Sequence, residues 1–510
     1  MSTAIDRQTL DEAESVITVT SPVTGEVVGM VPRCVPADVA AAVEQARGEQ
    51  PSWAALPYAR RAEVIIRFHD LILEQREALF DVIQAETGKS RRDAFVELFA
   101  VAAEARYYAY HGERFIAPRR VRPAIPLRDV TEVFYEPLGV VGIISPWNFP
   151  FILSVADAIP ALLAGNAVVV KPASATPLTA MWVAERMAEA GLPEALLQVV
   201  TGPGGELGNV LVDTVDAAMF TGSTDVGRSV AERAARRLIP ASMELGGKNA
   251  MIVLPDADLR HAAHVAVEAA FNNAGQVCIN IERLYVAEEV YGAFVDELLG
   301  QTRALRMGCD SSFDTDVGSL ISEEHLHSVE QYVEDAVRQG ARVLAGGRRR
   351  PELGPAFYEP TILEGVREGM LAHREEVFGP VLAVYRVASL EAAIQQVNDS
   401  RYGLYHIVAT GNARRGMTTA SRLKAGTVAI NDSYMGWAAV EAPMGGLKDS
   451  GVGRRHGPDG IRKFTEPRTI LRNRTPWQIG SGETALALNE RLANTLATAL
   501  KLWRRIPFIR

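Results

Sequence analysis

The spacing of apolar residues changes along the chain, and the changes mark its parts. Residues 16–32 (VITVTSPVTGEVVGMVP) hold two β-rich runs separated by a Thr-Gly turn, which predicts a hairpin. Residues 38–46, 59–87 and 91–110 carry apolar side chains at helical spacing, with Gly88 placed to cap the second helix at its C-terminus. Residues 128–136 (RDVTEVFYE) alternate polar and apolar, the pattern of a strand exposed on both faces, and such a strand needs a neighbour to cover it. From residue 140 short apolar strands alternate with helices: VVGIIS, SVADAIPALLAG, AVVVKP, a helix over 177–190, LQVV, AAMFTG and ASMEL. That rhythm is βαβ winding about a parallel sheet. A second alternating block covers 250–430, with strands at MIVL, RLYVA, VLAVYR and GTVAIN and helices starting near Asp258, Glu288, Ser322 and Ser389. The fold class is therefore α/β, with two such domains joined near Gly246 and Gly247 and a solvated tail over 1–15.

Composition narrows the function. The 510 residues are 48% hydrophobic and 23% charged, which excludes a disordered or collagen-like chain. Acidic residues outnumber basic ones, 62 to 53, so the net charge of -9 argues against nucleic acid as a partner. Three scattered cysteines, Cys34, Cys278 and Cys309, are too few for a disulfide framework or a zinc site and fit a reducing cytoplasm. The apolar stretch 156–170 is interrupted by Asp157, Pro160, Gly165 and Asn166 before it reaches membrane-spanning length, and the N-terminus lacks a secretory pattern. At the other end, within 476–510, ALALNERLANTLATALKLWRR predicts an amphipathic helix that packs on its own or a partner subunit, or else touches a membrane surface.

Four segments carry candidate chemistry. AGQVCIN sets Cys278 between a helical run and a strand; a lone cysteine is commonly a buried apolar residue, but Gly275 permits a tight backbone approach that would present both the sulfur and its own amide to a carbonyl. MELGGKN leaves Glu244 at the C-terminal end of a strand, where α/β proteins place ligands, although a structural ion pair is equally compatible. ISPWNFP holds Asn148 in a rigid turn between prolines, as a turn cap or as an oxyanion donor. FTGSTDVG runs from a strand through Gly222 and Ser223 into a helix whose N-terminus suits a pyrophosphate.

Together with VVKPAS, EEVFGPV and APMGGLKDSGVGR, these segments resemble the aldehyde dehydrogenase superfamily in order and separation over about 16–471. Within it the chain is similar to the NADP-type succinate-semialdehyde dehydrogenases of actinobacteria. The resemblance implies that Cys278 attacks the aldehyde, that the Asn148 amide and the Cys278 N–H hold the oxyanion, that hydride leaves for a nicotinamide, and that Glu244 activates the water that hydrolyses the thioester. No metal is implied. Lys171 and Glu376 would contact the ribose, Phe378 would lie beside the nicotinamide, Trp147 and Ser223 would add contacts, and Leu245 would offer its backbone. Members selective for NAD carry KPAE where this chain has Ser174; without that carboxylate a 2′-phosphate is not repelled, which favours NADP over the alternative, NAD. The likeness also assigns 16–118 and 140–245 to a Rossmann-type cofactor domain, 246–430 to a catalytic domain, and 119–139 with 466–475 to strands that pair between subunits of a homodimer or homotetramer.

Two substrate readings stand. Succinate semialdehyde follows from the resemblance, yet the positions where the better-known enzymes place arginines are Ala156 and Asn272 here, leaving Arg283 as a candidate cation. Phe149, Phe151, Tyr434 and Trp437 would instead line an apolar tunnel suited to alkyl or aromatic aldehydes. An acyl-transferring variant is opposed by the presence of Glu244, and a non-catalytic scaffold by the joint presence of nucleophile, base and oxyanion donor.

Overall fold

The computed structural model describes residues 15–123, 128–436, 438–475, 478–480, 485–487 and 489–503. The predicted hairpin is Val16–Thr20 and Val27–Pro32, paired antiparallel with an irregularity at Val19/Thr20. The first helix, Pro36–Ala54, exceeds the predicted span at both ends, with proline in its first turn where the missing amide costs nothing. The helix expected over 59–87 is two, Tyr58–Glu74 and Arg76–Thr87, separated at Gln75, whose φ of -97° and ψ of 22° leave the helical region. Gly88 closes the second with φ +69°, and a Cβ there would lie 2.0 Å from Ser319 Oγ. Ser90 starts the next helix, Arg91–His111, by accepting the Asp93 amide.

Two sheets frame the larger part. Among the described residues the first runs Gly451–Val452, Ala241–Glu244, Ala217–Thr221, Val140–Ile144, Ala167–Lys171 and Leu197–Val199 across its width, parallel except at the Gly451–Val452 edge. Ala167–Lys171 and Ala217–Thr221 are buried along their whole length, which is why they read as continuous apolar runs. The strand order reverses between Val140–Ile144 and Ala217–Thr221, and the crevice beyond their carboxyl ends is where such sheets bind ligands.

The second sheet runs Arg342–Ala345, Thr361–Glu364, Val381–Val387, Ile281–Ala287, Asn249–Val253, Tyr405–Ala409 and Thr427–Ile430, with Arg342–Ala345 the antiparallel edge. The chain crosses between the sheets through Leu245, Gly246, Gly247 and Lys248. The Leu245 amide donates to Ser450 O at 3.0 Å and the Gly247 amide to Glu376 Oε1 at 2.8 Å, so the crossing is pinned on both sides.

The described residues within 117–136 and 467–503 form a separate compact unit. In it Thr465–Asn473, Asp129–Pro137 and Arg119–Val121 lie side by side, the last two antiparallel with Arg119 opposite Val133. Asp129–Pro137, expected to be exposed on both faces, is buried at Asp129, Val130 and Thr131 and half-buried beyond them. The C-terminal helix is Glu490–Trp503, with Leu496, Leu500 and Leu502 exposed. The predicted tail, up to residue 14, and residues 504–510 lie outside the described residues, among which no helix is long and apolar enough to cross a membrane.

Candidate active site

At the end of the strand Val140–Ile144 the chain turns through Asn148 into the helix Pro150–Val155. A buried lysine fixes that turn. Lys89 Nζ donates to Asn148 O at 2.8 Å and to Glu97 at 2.6 Å, while the other Glu97 oxygen accepts the Phe151 and Ile152 amides at 2.9 and 3.1 Å. Glu97 thus caps the helix that Asn148 precedes, and its charge is balanced by the lysine that grips the turn. Asn148 is buried; its Nδ2 donates to Gln276 O at 2.9 Å, and its Oδ1 has no hydrogen-bond partner among the described residues.

Gln276 leads to Cys278, so the Asn148 bond ties the two turns together. The approach is contorted: Asn273, Ala274 and Gly275 all have positive φ, at 48°, 53° and 73°, and a Cβ at Gly275 would lie 2.1 Å from Gly379 O. Only glycine fits there. Gln276 locks the turn by donating to Asn273 O and Ser319 O and accepting the Ile321 amide, and Asn249 Nδ2 donates to Cys278 O at 2.8 Å. The thiol is free and half-buried. Burial pushes it up to about 12, assisted by the nearby Glu244 and Glu376 carboxylates, so it rests protonated beside a candidate base.

Glu244 ends the strand Ala241–Glu244, and its Oε1 has no hydrogen-bond partner among the described residues. Burial raises its carboxyl to about 7, against the pull of Arg455 and Lys463. Arg455 donates to Asp157 at 2.8 Å and to Thr221 Oγ1 at 2.7 Å, and Lys463 donates to Asp157 at 2.6 Å. Although burial opposes ionisation of Asp157, the two cations hold it well below the usual carboxylate range.

A cavity of about 300 Å³ is lined by Cys278, Glu244, Asn148, Trp147, Gly222, Ser223, Leu245, Glu376 and Phe378, and Arg455 also reaches it. Lys171 and Ser174 lie off this lining. Lys171 is buried with its ammonium on Pro172 O at 2.7 Å, and burial lowers it to about 8. Ser174 Oγ donates to Gly202 O at 2.8 Å, and a Cβ at Gly204 would come within 3.9 Å of Lys171 Nζ, so the two loops face each other.

These features fit a nucleotide. The helix Thr224–Arg237 starts at Ser223 without a side-chain cap, leaving its first amides for a ligand, and the absence of a Cβ at Gly227, which would sit 2.3 Å from Leu245, lets the helix pack closely. Glu376 is half-buried, and its carboxyl is raised to about 8 by desolvation and then by Glu282. Phe378 adopts φ +54°, held by its amide on Glu282 at 2.9 Å, with its ring edge-on to Trp147 at 5.5 Å.

Some expectations are corrected. Phe151 is fully buried against Trp182 and does not line the cavity, whereas Phe149 and Tyr434 do; Trp437 lies outside the described residues. Arg283 is no substrate cation: its guanidinium donates to the carbonyls of Lys248, Gln396 and Val397, away from the cavity. Ala156 is buried, while Asn272 does reach the lining. Lys89, Glu97, Asp157 and Arg455 were not anticipated; each acts through a partner distant in sequence, and no local motif marks them.

The family model described as "Aldehyde dehydrogenase family" matches residues 9–470. A Mycolicibacterium smegmatis protein named "Putative succinate-semialdehyde dehydrogenase", NADP(+)-type, is 48% identical over 452 residues, covering 88% of this chain and 87% of the relative. The crystal structure of succinate-semialdehyde dehydrogenase from Burkholderia pseudomallei aligns with a TM-score of 0.86 at 33% identity, covering 90% of this chain and 95% of that one. A Mycobacterium tuberculosis aldehyde dehydrogenase complexed with NAD+ aligns at 0.85 and 37% identity, covering 89% and 94%. With the fold, the site geometry and a match over most of its length in agreement, the chain belongs to the aldehyde dehydrogenase family, NAD(P)-dependent enzymes that act on aldehydes.

Proposed function

We propose that the chain oxidises an uncharged aldehyde to the free carboxylic acid, with NADP as its preferred acceptor. The observation that carries this reading is the convergence of Cys278, Glu244 and Asn148 on one cavity with Gly222, Ser223, Glu376 and Phe378. Cys278 Sγ attacks the aldehyde carbon, and its proton passes to the Glu244 carboxylate. The oxygen takes the negative charge, stabilised by the free N–H of the Asn148 amide and the Cys278 backbone N–H. When bound, the nucleotide supplies a two-electron acceptor for that carbon, and a thioester remains on Cys278. Glu244, its first proton released to solvent, draws a proton from water as the water oxygen attacks the thioester; the C–S bond breaks and that proton passes from Glu244 to the departing sulfur, restoring the thiol. The nucleotide would be held by the helix start at Gly222 and Ser223, by Lys171 and Glu376 at the ribose, and by Trp147, Leu245 and Phe378 near the reacting ring. Ser174, spent on Gly202 O, brings no charge against a 2′-phosphate, which supports NADP.

Succinate semialdehyde is the second reading, supported by the names of the Mycolicibacterium and Burkholderia relatives. The uncharged substrate is favoured because Arg455, the cation on the cavity wall, is already bound to Asp157 and Thr221. An oligomer is supported by the three-stranded unit, whose edge strand Thr465–Asn473 exposes Ile470 and Leu471. The direct test of the chemistry is Glu244→Gln, which should form its first equivalent of NADPH per site slowly, for want of the group that takes the thiol proton, and then stall with the acyl group on Cys278; steady turnover at the wild-type rate would remove Glu244 from both steps.

A further inference from the structure

We infer that the chain holds a second ligand site, for a small multivalent organic anion, beside the chain crossing that carries Gly247, and that its occupant bears on cofactor affinity. A cavity of about 360 Å³ opens there, large enough for a metabolite. None of its lining residues lines the cavity of Cys278. Lys248, Arg283, Arg374 and Arg401 bring four cations to its wall, against the carboxylates of Glu375 and Asp399. Two of the cations have close partners: Lys248 donates to Glu282 at 2.5 Å and Arg374 to Asp399 at 3.2 Å. The other two do not. Arg283 is buried with its guanidinium on the carbonyls of Lys248, Gln396 and Val397 and on Tyr285 Oη, and among the described residues it forms no salt bridge. Carbonyl dipoles satisfy its N–H groups but leave its charge without a counter-charge, which a bound anion would supply. Arg401 donates to Tyr402 Oη at 2.7 Å; Asp449, 3.9 Å from it, is held more closely by Arg228, at 2.8 Å. A neighbour feels the surplus: His373, on the same wall, is held below its ordinary value by burial first and then by Arg374, Arg283 and Lys248.

The layout of these groups sets the class of occupant. Arg283 is buried whereas Arg374 and Arg401 are exposed, so positive charge is offered at two depths, and a molecule with more than one anionic group matches it where a monovalent ion does not. Planar guanidinium forks suit carboxylates and phosphates alike, so the shared chemistry is the multiple negative charge. The site also borders the proposed ribose contact. Lys248 directly follows Gly247, whose amide holds Glu376, and Glu375 directly precedes Glu376, so residues of this wall and that contact share two short stretches of chain. Occupancy should therefore change cofactor affinity, and by linkage the cofactor should change affinity for the anion by the same factor.

The test titrates citrate and pyrophosphate, one bearing carboxylates and the other phosphates, into the full chain by calorimetry, with acetate as the monovalent control. At least one of the two should bind about tenfold or more tightly than acetate, and the tighter names the class of occupant. Arg374→Gln combined with Arg401→Gln removes both exposed cations and leaves the buried ones in place; it should weaken that binding about tenfold or more while melting within a few degrees of the wild type. The Kd of NADPH is then measured with and without the tighter anion. It should shift about threefold or more in the wild type and less than about twofold in the double variant. Competition at the cofactor's own phosphate contacts would instead weaken NADPH equally in both proteins, and that result overturns the inference. So does a failure of both anions to outbind acetate, binding that survives the double substitution, or an NADPH Kd indifferent to the anion. None of these measurements involves turnover, so their failure leaves the proposed oxidation at Cys278 standing.

Discussion

Hydrolysis of the thioester should depend steeply on pH across neutrality, because Glu244 titrates there. Burial lifts its carboxyl from the ordinary 4.5 to about 7, with Arg455 and Lys463 limiting the rise. A base works only when ionised; for a group at about 7, roughly one-tenth is ionised at pH 6 and nine-tenths at pH 8, so the hydrolytic rate should rise about tenfold over that interval. A carboxylate at its ordinary value would change by less than about a tenth over the same range. The assay is single-turnover: acyl-enzyme is formed by rapid mixing with aldehyde and NADP, jumped to buffers between pH 5.5 and 8.5, and the loss of Cys278-bound acyl group followed by quench and mass spectrometry. In Glu244→Gln the residual rate should be low and independent of pH up to 8. The same displacement has a thermodynamic sign: since the folded value exceeds the unfolded one, ionised Glu244 destabilises the fold, by nothing below about pH 4.5 and by about 3 kcal/mol above pH 7. Glu244→Gln should therefore gain stability relative to the wild type as pH rises from 4.5 to 8. A wild-type hydrolytic rate that is flat between pH 6 and 8, or a slope that survives in Glu244→Gln, refutes the assignment.

Three further substitutions probe the surroundings. Asn148→Ala should lower kcat by about 10²–10³ in steady-state assays with KM little changed, the cost of one oxyanion donor; a purely KM effect would make Asn148 a packing residue. Lys89→Met strands the buried Glu97 charge and should cost about 3–5 kcal/mol by thermal or denaturant unfolding, with part of the loss recovered on adding Glu97→Gln. Ser174→Glu places a carboxylate where Ser174 meets Gly202 and should cut kcat/KM with NADP at least tenfold while sparing NAD.

Much of this arrangement is written in local sequence. Strands buried on both faces read as unbroken apolar runs, Gly88 marks its helix end, and Cys278, Glu244 and Asn148 sit in short segments whose glycines and prolines force unusual turns. Other parts leave no such trace. The break at Gln75 carries no glycine or proline, so helical spacing continues across it. The edge strand Arg342–Ala345 lacks a buried face, and Tyr405–Ala409 carries His406 as its second residue, which obscures both as strands. Lys89 meets Asn148 across 59 positions and Arg455 meets Asp157 across 298, so their roles arise only once the fold brings them together. Phe95 and Phe99 obey helical periodicity and are indistinguishable by spacing from the core residues beside them, although they face a chamber.

The crossing from Glu244 to Asn249 has a mechanical consequence. Glu244, the proposed base, is the last residue of a strand in one sheet, and Cys278, the proposed nucleophile, lies shortly before a strand of the other, so the gap between them is owned by neither half alone. A substitution deep in either sheet that slid one layer by a fraction of an ångström would detune acid–base transfer while leaving every reacting group intact. Drift in one half of this chain is therefore constrained by the other, and chimeras cut at Gly246 should inherit good parts with poor alignment.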